Sequence, residues 1–381
     1  MRRFYQPTDI ITGAGCLGQL GQVCRRYGDT ALLVCGHKAM TRSGTLDRAT
    51  TLLGQQEVPA AIYDQVSGEP TLEIVEQGVI LARKEKVQVI VGLGGGSAMD
   101  TAKAIAGLVP LRGSVRDYHQ GREIEEPGIP FVAIPTTAGT GAEVTKNAVL
   151  SDPVRGIKAS IRHDSWFARA ALVDPELTLS LPPTLTAATG ADALCQAIEA
   201  YVSIGAMPTT DALAMEAIRL LGRSLVTAFR EGHDINARAD TLYGSMLAGV
   251  ALANARLGGV HGMAHPLGYR YHIPHGTICG LLLPYVMKYN LPYAVEKHAR
   301  VAALLGVGTQ GMTTEQAAGE SVKDVQRILT ALQIPQKLAP LGVNEDDFPV
   351  IIAESLPSGS LKHNPRPLGE DDVRNILRAA L

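Results

Sequence analysis

The stretch VQVIVGLGGGSAMDTAKA, residues 87–104, passes directly from an apolar β-branched run through a glycine turn into a helical pattern. Val87 to Leu93 reads as a strand buried on both faces, as a parallel sheet requires. The glycines at 94–96 let a backbone approach a ligand closely, and a helix is predicted over 98–106. A helix N-terminus behind such a turn offers free N–H groups and a positive dipole end, which suit a pyrophosphate. A ligand-free strand-to-helix turn has the same composition, but the position directly between strand and helix favours the phosphate reading. The spacing is neither G-x-G-x-x-G nor G-x-x-x-x-G-K-[ST], so neither standard nucleotide motif is present.

Working outward, residues 31–35, 131–134 and 170–173 are further short aliphatic runs stopped by Gly, Pro or Asp. Between them lie helical patterns such as residues 70–85, with Leu72, Val75, Val79 and Ile80 at helical spacing. The alternation predicts an α/β layered domain with a mostly parallel sheet. A second loop, PTTAGTGAE (135–143), follows the 131–134 strand and offers hydroxyls and glycines where open sheets place ligands. After Leu181-Pro182-Pro183 no strand series is legible, and residues 211–229, 239–255, 293–305 and 314–332 carry helical periodicity. The expected division is an α/β dinucleotide-binding domain over 1–182 and an all-helical domain over 183–381.

The 381 residues carry 35 Lys and Arg against 37 Asp and Glu, a net charge of −2, which gives no basic surface for nucleic acid. Aromatic residues make up only 4%, so base-stacking platforms are not expected either. No apolar run approaches the ~18 residues of a membrane span. The cysteines (Cys16, Cys24, Cys35, Cys195, Cys279) are odd in number and scattered, which fits a reducing, cytoplasmic location.

Four histidines, His261, His265, His272 and His275, crowd into one short segment, with His261 and His265 on one face of a helix. Imidazole is the commonest metal ligand near neutral pH, so this clustering favours metal binding or catalysis over a core role. Upstream, Asp192, Cys195 and Gln196 stand at i, i+3 and i+4 and could face one point, although Asp192 near a helix start could simply stabilise the dipole.

Together these segments resemble the iron-containing (group III) alcohol dehydrogenases. The resemblance rests on GGGSAMDTAK (94–103), PTTAGTGAEVT (135–145), Asp174-Pro175, GADALCQAIEAY (190–201), HGMAHPLG (261–268), PHGTICGLLLP (274–284) and NPRP (364–367), which span nearly the whole chain. It implies an NAD(P)-dependent alcohol dehydrogenase or aldehyde reductase, with the active site in the cleft between the two domains and a homodimer or larger homo-oligomer. It assigns Gly95, Gly96 and Ser97 to the pyrophosphate. Thr136, Thr137, Thr140, Asn147 and Lys158 fall to phosphate, ribose and nicotinamide, and Gly36, Gly94 and Asp100 complete the expected cofactor surface. The metal, Fe2+ or Zn2+, would fall to Asp192, position 196, His261 and His275, with His265 beside it as the proton-transfer residue and His272 as a lesser candidate.

The chain departs from that pattern twice. Position 196 is normally His, and Gln196 offers only a neutral amide oxygen. This leaves a weakened site with Gln196 as ligand, a three-residue site completed by water, or chemistry without metal; Cys195 as a substitute thiolate is the lesser alternative. After the 31–35 strand the family often has Asp, where this chain has Gly36-His37-Lys38, which favours NADP(H). A small primary aldehyde or alcohol is the leading substrate, and Arg270 with Tyr271 would serve an oxo acid instead. The rivals are a lyase of dehydroquinate-synthase type and a non-catalytic nucleotide-binding protein.

Overall fold

The computed structural model describes residues 2–381. Its strands are β1 (Asp9–Thr12), β2 (Ala31–Gly36), β3 (Ala60–Val66), β4 (Val89–Gly94), β5 (Phe131–Pro135), β6 (Asn147–Asp152), β7 (Ile157–Arg162) and β8 (Ala170–Val173). Six of them form one sheet in the order β1-β8-β5-β4-β2-β3, every neighbouring pair parallel. The central strands are wholly apolar because each is covered on both faces, and all of β4 is buried. The edge strands β1 and β3 are partly exposed, and β3 accordingly carries Tyr63, Asp64 and Gln65. Val87 and Gln88 lie outside β4, because Lys86 at φ 51° turns the chain there and Val87 N–H returns to the carbonyl of Ala82.

The early helices are α1 (Leu20–Arg25), α2 (Ala39–Arg42), α3 (Thr45–Gly54), α4 (Leu72–Lys84), α5 (Gly96–Leu108) and α6 (Val115–His119). From β2 the chain moves to β3 on one side, and from β4 to β5 on the other, so strand order reverses between β2 and β4. Ligands of open parallel sheets bind at the strand C-termini beside such a reversal. Gly36 and Gly94 end those two strands. The antiparallel β6–β7 hairpin is fastened to α5: the Lys103 ammonium donates to the carbonyls of Ala142 (2.9 Å) and Asn147 (2.8 Å) and to the Thr145 hydroxyl. The Asp100 carboxylate accepts the Val149 N–H at 2.9 Å.

The later chain is helical: α7 (Pro183–Val202), α8 (Pro208–Arg230), α9 (Ile235–Ala255), α10 (Gly259–Tyr271), α11 (His275–Asn290), α12 (Val295–Leu304), α13 (Thr314–Ala331), α14 (Phe348–Ser355) and α15 (Glu370–Ala380). Two compact units result. One comprises Gln6–Thr137 and Gly141–Ser180; the other comprises Leu181–Leu381 with Met1–Tyr5 and Ala138–Thr140. In the helical unit the buried Arg238 guanidinium joins three segments, donating to the Thr186 hydroxyl and to the carbonyls of Gly232 and Leu181. No described helix is long and apolar enough to cross a membrane.

His298 on α12 is fully buried with neither ring nitrogen hydrogen-bonded, and burial pushes its pKa down to about 4. The folded protein therefore keeps this ring neutral while the unfolded chain protonates it below its ordinary value of about 6.5. Stability is unaffected above that value and falls as pH drops from there to about 4, by about 3 kcal/mol at the ~1.4 kcal/mol per unit of linkage. His298→Leu is expected to lessen the fall in denaturant midpoint between those pH limits. An unchanged acid dependence would contradict the assignment.

Candidate active site

Helix α7 is buried over most of its length, and Asp192, Cys195, Gln196 and Glu199 recur along it at i, i+3, i+4 and i+7, one helical side. Helix α10 contributes His261 and His265, and α11 begins at His275 with Cys279 one turn later. Glycines bring α11 this close to α7: a Cβ on Gly276 would lie 2.0 Å from the Ala188 carbonyl oxygen, and one on Gly280 3.0 Å from the Ala191 Cβ.

The side chains converge. Asp192 Oδ1 lies 3.2 Å from His261 Nε2 and 3.9 Å from His275 Nε2. Cys279 Sγ lies 3.5 Å from His275 Nε2 and 3.8 Å from His261 Nε2. The four donors fall within 4.8 Å of one another. On the other edge of the His261 ring, Nδ1 meets Glu199 Oε2 at 2.6 Å. That short contact to a carboxylate places a ring proton on Nδ1 and makes Nε2, which faces Asp192, the nitrogen open to a metal, the arrangement by which a carboxylate orients a metal-binding imidazole. The other oxygen of Glu199 accepts the Val260 N–H at 2.7 Å, and Asn364 Oδ1 accepts that of Gly259 at 3.1 Å. Glu199 thus caps α10 and orients its first histidine, and the NPRP segment supplies the second cap.

The pocket is short of positive charge. Burial pushes the Asp192 carboxyl up, and the neighbouring Cys279 sulfur, when ionised, adds to it. Burial acts to lower His261, but Cys279, Glu199 and Asp192 outweigh it and leave the ring well above its ordinary value. His275 is raised in the same way by Cys279 and Asp192. A divalent cation among these donors supplies the missing charge and reverses that logic. The buried Gln196 has an Oε1 with no hydrogen-bond partner, one helical turn from Asp192, as suits an oxygen kept for a cation. The residues present therefore fit a metal ion. A second trio, Cys195, Glu199 and His261, also lies within 4.8 Å, but its short Nδ1 contact is a hydrogen bond and Cys195 Sγ stands 3.9 Å from that nitrogen.

His265 is half-buried and stacks on His275, ring centroids 5.1 Å apart. His272 does not join the cluster: it ends α10 at φ 53°, left-handed and exposed. Arg270 is ion-paired to Glu354 at 3.0 Å and the Tyr271 hydroxyl donates to Asp347. Both polar groups are thereby engaged within the fold. Sequence reading passed over Glu199 and Cys279; the signal was there as i+7 from Asp192 and i+4 from His275.

In the α/β unit the glycine turn fits a dinucleotide. Gly94 has φ 149°, and a Cβ there would lie 2.8 Å from that of Ala98. A Cβ on Gly95 would lie 3.1 Å from Thr137. Gly95 is the N-cap of α5 and offers no side chain to cap it, so the N–H groups of Gly96 and Ser97 have no side-chain cap. Thr136 N–H bonds the Gly94 carbonyl at 2.9 Å, which aligns the second loop with the first. Gly36 opens a cavity of about 530 Å3 lined by residues 36–39 and 65–67. The other expected cofactor residues are partly engaged in the fold. Asp100 holds Val149, the Asn147 carbonyl takes Lys103, and Lys158 is paired to Glu69, whereas Thr140 clusters with the helical unit.

Residues 7–175 match the iron-containing alcohol dehydrogenase family, and residues 186–381 its C-terminal domain, the Fe-containing alcohol dehydrogenase family, C-terminal. The chain belongs to that family. It is accordingly an oxidoreductase acting on CH–OH groups, whose chemistry draws on a nicotinamide dinucleotide and a divalent metal. It is 41% identical over 382 residues to the long-chain-alcohol dehydrogenase 1 of Geobacillus thermodenitrificans, covering 99% of this chain and 96% of that one. It is 38% identical over 376 residues to the 1,3-propanediol dehydrogenase of Klebsiella pneumoniae, covering 98% and 97%. The crystal structure of a 1,3-propanediol oxidoreductase superposes with a TM-score of 0.97 at 38% identity, over 100% of both chains.

Because Glu199 fixes the His261 tautomer, Glu199→Gln is expected to weaken divalent-metal affinity roughly 10- to 100-fold. Competition against a chromophoric chelator measures it, and an unchanged affinity would show that Glu199 only caps the helix.

Proposed function

We propose that the chain interconverts a small primary alcohol and its aldehyde, with NADP(H) preferred over NAD(H), on a metal held by Asp192, His261 and His275 with the Gln196 oxygen as a weak further donor. The observation that carries this reading is the convergence of one carboxylate and two imidazoles, one of them oriented by Glu199. When bound, the ion polarises the carbonyl or acidifies the alcohol, and the nicotinamide exchanges the hydride. Asp192 supplies the negative charge that keeps a cation in an otherwise buried pocket. His261 and His275 contribute nitrogen donors and hold His265 by the stack on His275. His265 is the proton carrier, since it is half-buried and stacks on the partly exposed His275 without belonging to the donor set, and so stands beside the donors with access to solvent. With Arg270 and Tyr271 engaged elsewhere, nothing from them selects an anionic substrate, which favours an uncharged aldehyde. Assembly as a homo-oligomer is part of the same proposal and rests on the family resemblance alone.

The cofactor preference follows from the end of β2. Gly36 is not required by its backbone, and a Cβ there would meet only the Val66 carbonyl oxygen, at an ordinary 3.6 Å. A side chain is thus not excluded at its first atom, and the lack of a carboxylate here, with Lys38 lining the same cavity, spares a 2′-phosphate from repulsion.

NADPH oxidation with short aldehydes, followed before and after chelation, tests the reading. Turnover that disappears with the metal and returns on its restoration is expected; turnover indifferent to chelation would remove the metal from it. His265→Ala is expected to lower kcat roughly 100-fold with metal content intact, and an unaltered pH–rate profile would deny it the proton. Gly36→Asp is expected to shift the NADPH-to-NADH ratio of kcat/KM by about tenfold or more toward NADH. An unmoved ratio would place cofactor selection elsewhere.

A further inference from the structure

The loss of the expected imidazole at position 196 leaves the metal centre one strong donor short, with Asp192, His261 and His275 alone, unless another group replaces it. Gln196 is neutral, and a neutral amide oxygen is a poor partner for a transition metal. Cys279 stands on α11 one turn after His275, wholly buried and facing the same point as the other donors.

We propose that Cys279 is the fourth protein ligand of this metal centre, a thiolate in a Cys-Asp-His-His set. The inference rests on the reading above that Asp192, His261 and His275 hold a divalent ion. Distances carry it. With bonds of ~2.3 Å to sulfur and ~2.0–2.1 Å to nitrogen or oxygen, ligands at near-tetrahedral angles lie about 3.3 Å apart for nitrogen and oxygen and about 3.6 Å for sulfur and nitrogen, and an ion so held can expand to a fifth position for the substrate oxygen. Cys279 Sγ already lies 3.5 Å from His275 Nε2 and 3.8 Å from His261 Nε2, while the Asp192 carboxylate lies 3.9 Å and 3.2 Å from those nitrogens, respectively. Cys195, the other thiol in the region, is on the wrong side of the ring: its sulfur is 3.9 Å from His261 Nδ1, the nitrogen that Glu199 occupies.

On binding, the sulfur–metal bond replaces the sulfur–hydrogen bond and the proton passes to solvent, so the ion's two positive charges meet two negative ligands. A soft thiolate in the set turns selectivity toward Zn2+ and Co2+ and away from hard oxygen-seeking ions such as Mg2+.

The test uses the full-length protein freed of metal and titrated with Co2+, read by absorption and by equilibrium dialysis. One equivalent bound with a thiolate-to-cobalt charge-transfer band in the near ultraviolet is expected. Cys195→Ser should keep the band; Cys279→Ser should lose it, with cobalt still bound roughly 10- to 100-fold more weakly, the scale on which loss of even an outer hydrogen-bond partner acts. Cys279→Ala repeats the measurement with no oxygen to take the sulfur's place, and unaltered circular dichroism establishes that either variant is folded. Cobalt bound by the unsubstituted protein without the band, or a band that survives in Cys279→Ser, overturns the thiolate and leaves the Asp192–His261–His275 centre standing. Failure of the unsubstituted protein to bind cobalt at all overturns that centre and the thiolate with it.

Discussion

The hydrogen bond from His261 Nδ1 to Glu199 is the contact on which the site depends. It is short, buried and charge-assisted, so it fixes where the ring's one proton sits and therefore which nitrogen is free. With Nδ1 committed to Glu199, Nε2 faces the Asp192 oxygen at 3.2 Å, a contact held by a second ring proton or, in that proton's place, by a cation. His275 and Cys279 are drawn to the same point by the close approach of α11 to α7, which Gly276 and Gly280 permit. Because Glu199 also caps α10 through Val260, displacing it would disturb a helix start and a donor together.

The α/β unit meets a different constraint. Its sheet places two glycine-ended strands, β2 and β4, side by side where strand order reverses. The glycines at 94 and 95 are there for lack of space, since a side chain would strike Ala98 or Thr137. Gly36 has the space and lacks the side chain all the same. On the proposed cofactor reading the two kinds of glycine serve separate ends, approach to a pyrophosphate and tolerance at the ribose.

Much of this was legible beforehand, and the reasons for the gaps are physical. The central strands were readable because burial on both faces leaves a continuous apolar run, as in residues 131–134 and 170–173. The edge strand β3 and the β6–β7 hairpin were not, since half-exposed strands carry Tyr63, Asp64, Lys158 and Arg162 and lose that run. Of the later helices, α8, α9, α12 and α13 announced themselves by periodicity, whereas α11, α14 and α15 did not. In the site, Asp192, His261 and His275 stood out by residue type, and family likeness placed them together. Glu199 did not, because a glutamate inside a helix reads as a solvated charge until its burial is known. Cys279 was hidden for the same reason in reverse, a small apolar-looking thiol in an apolar run. The ion pair of Arg270 was not legible, since its partner Glu354 is distant in sequence.

The most direct measurement is an anomalous-scattering map from crystals of the full-length protein grown with Zn2+. The account predicts one strong peak bonded to Asp192, to Nε2 of His261 and to His275, with Glu199 still on Nδ1 across the ring. A peak on the Nδ1 side, bonded to Cys195 and Glu199, would contradict it.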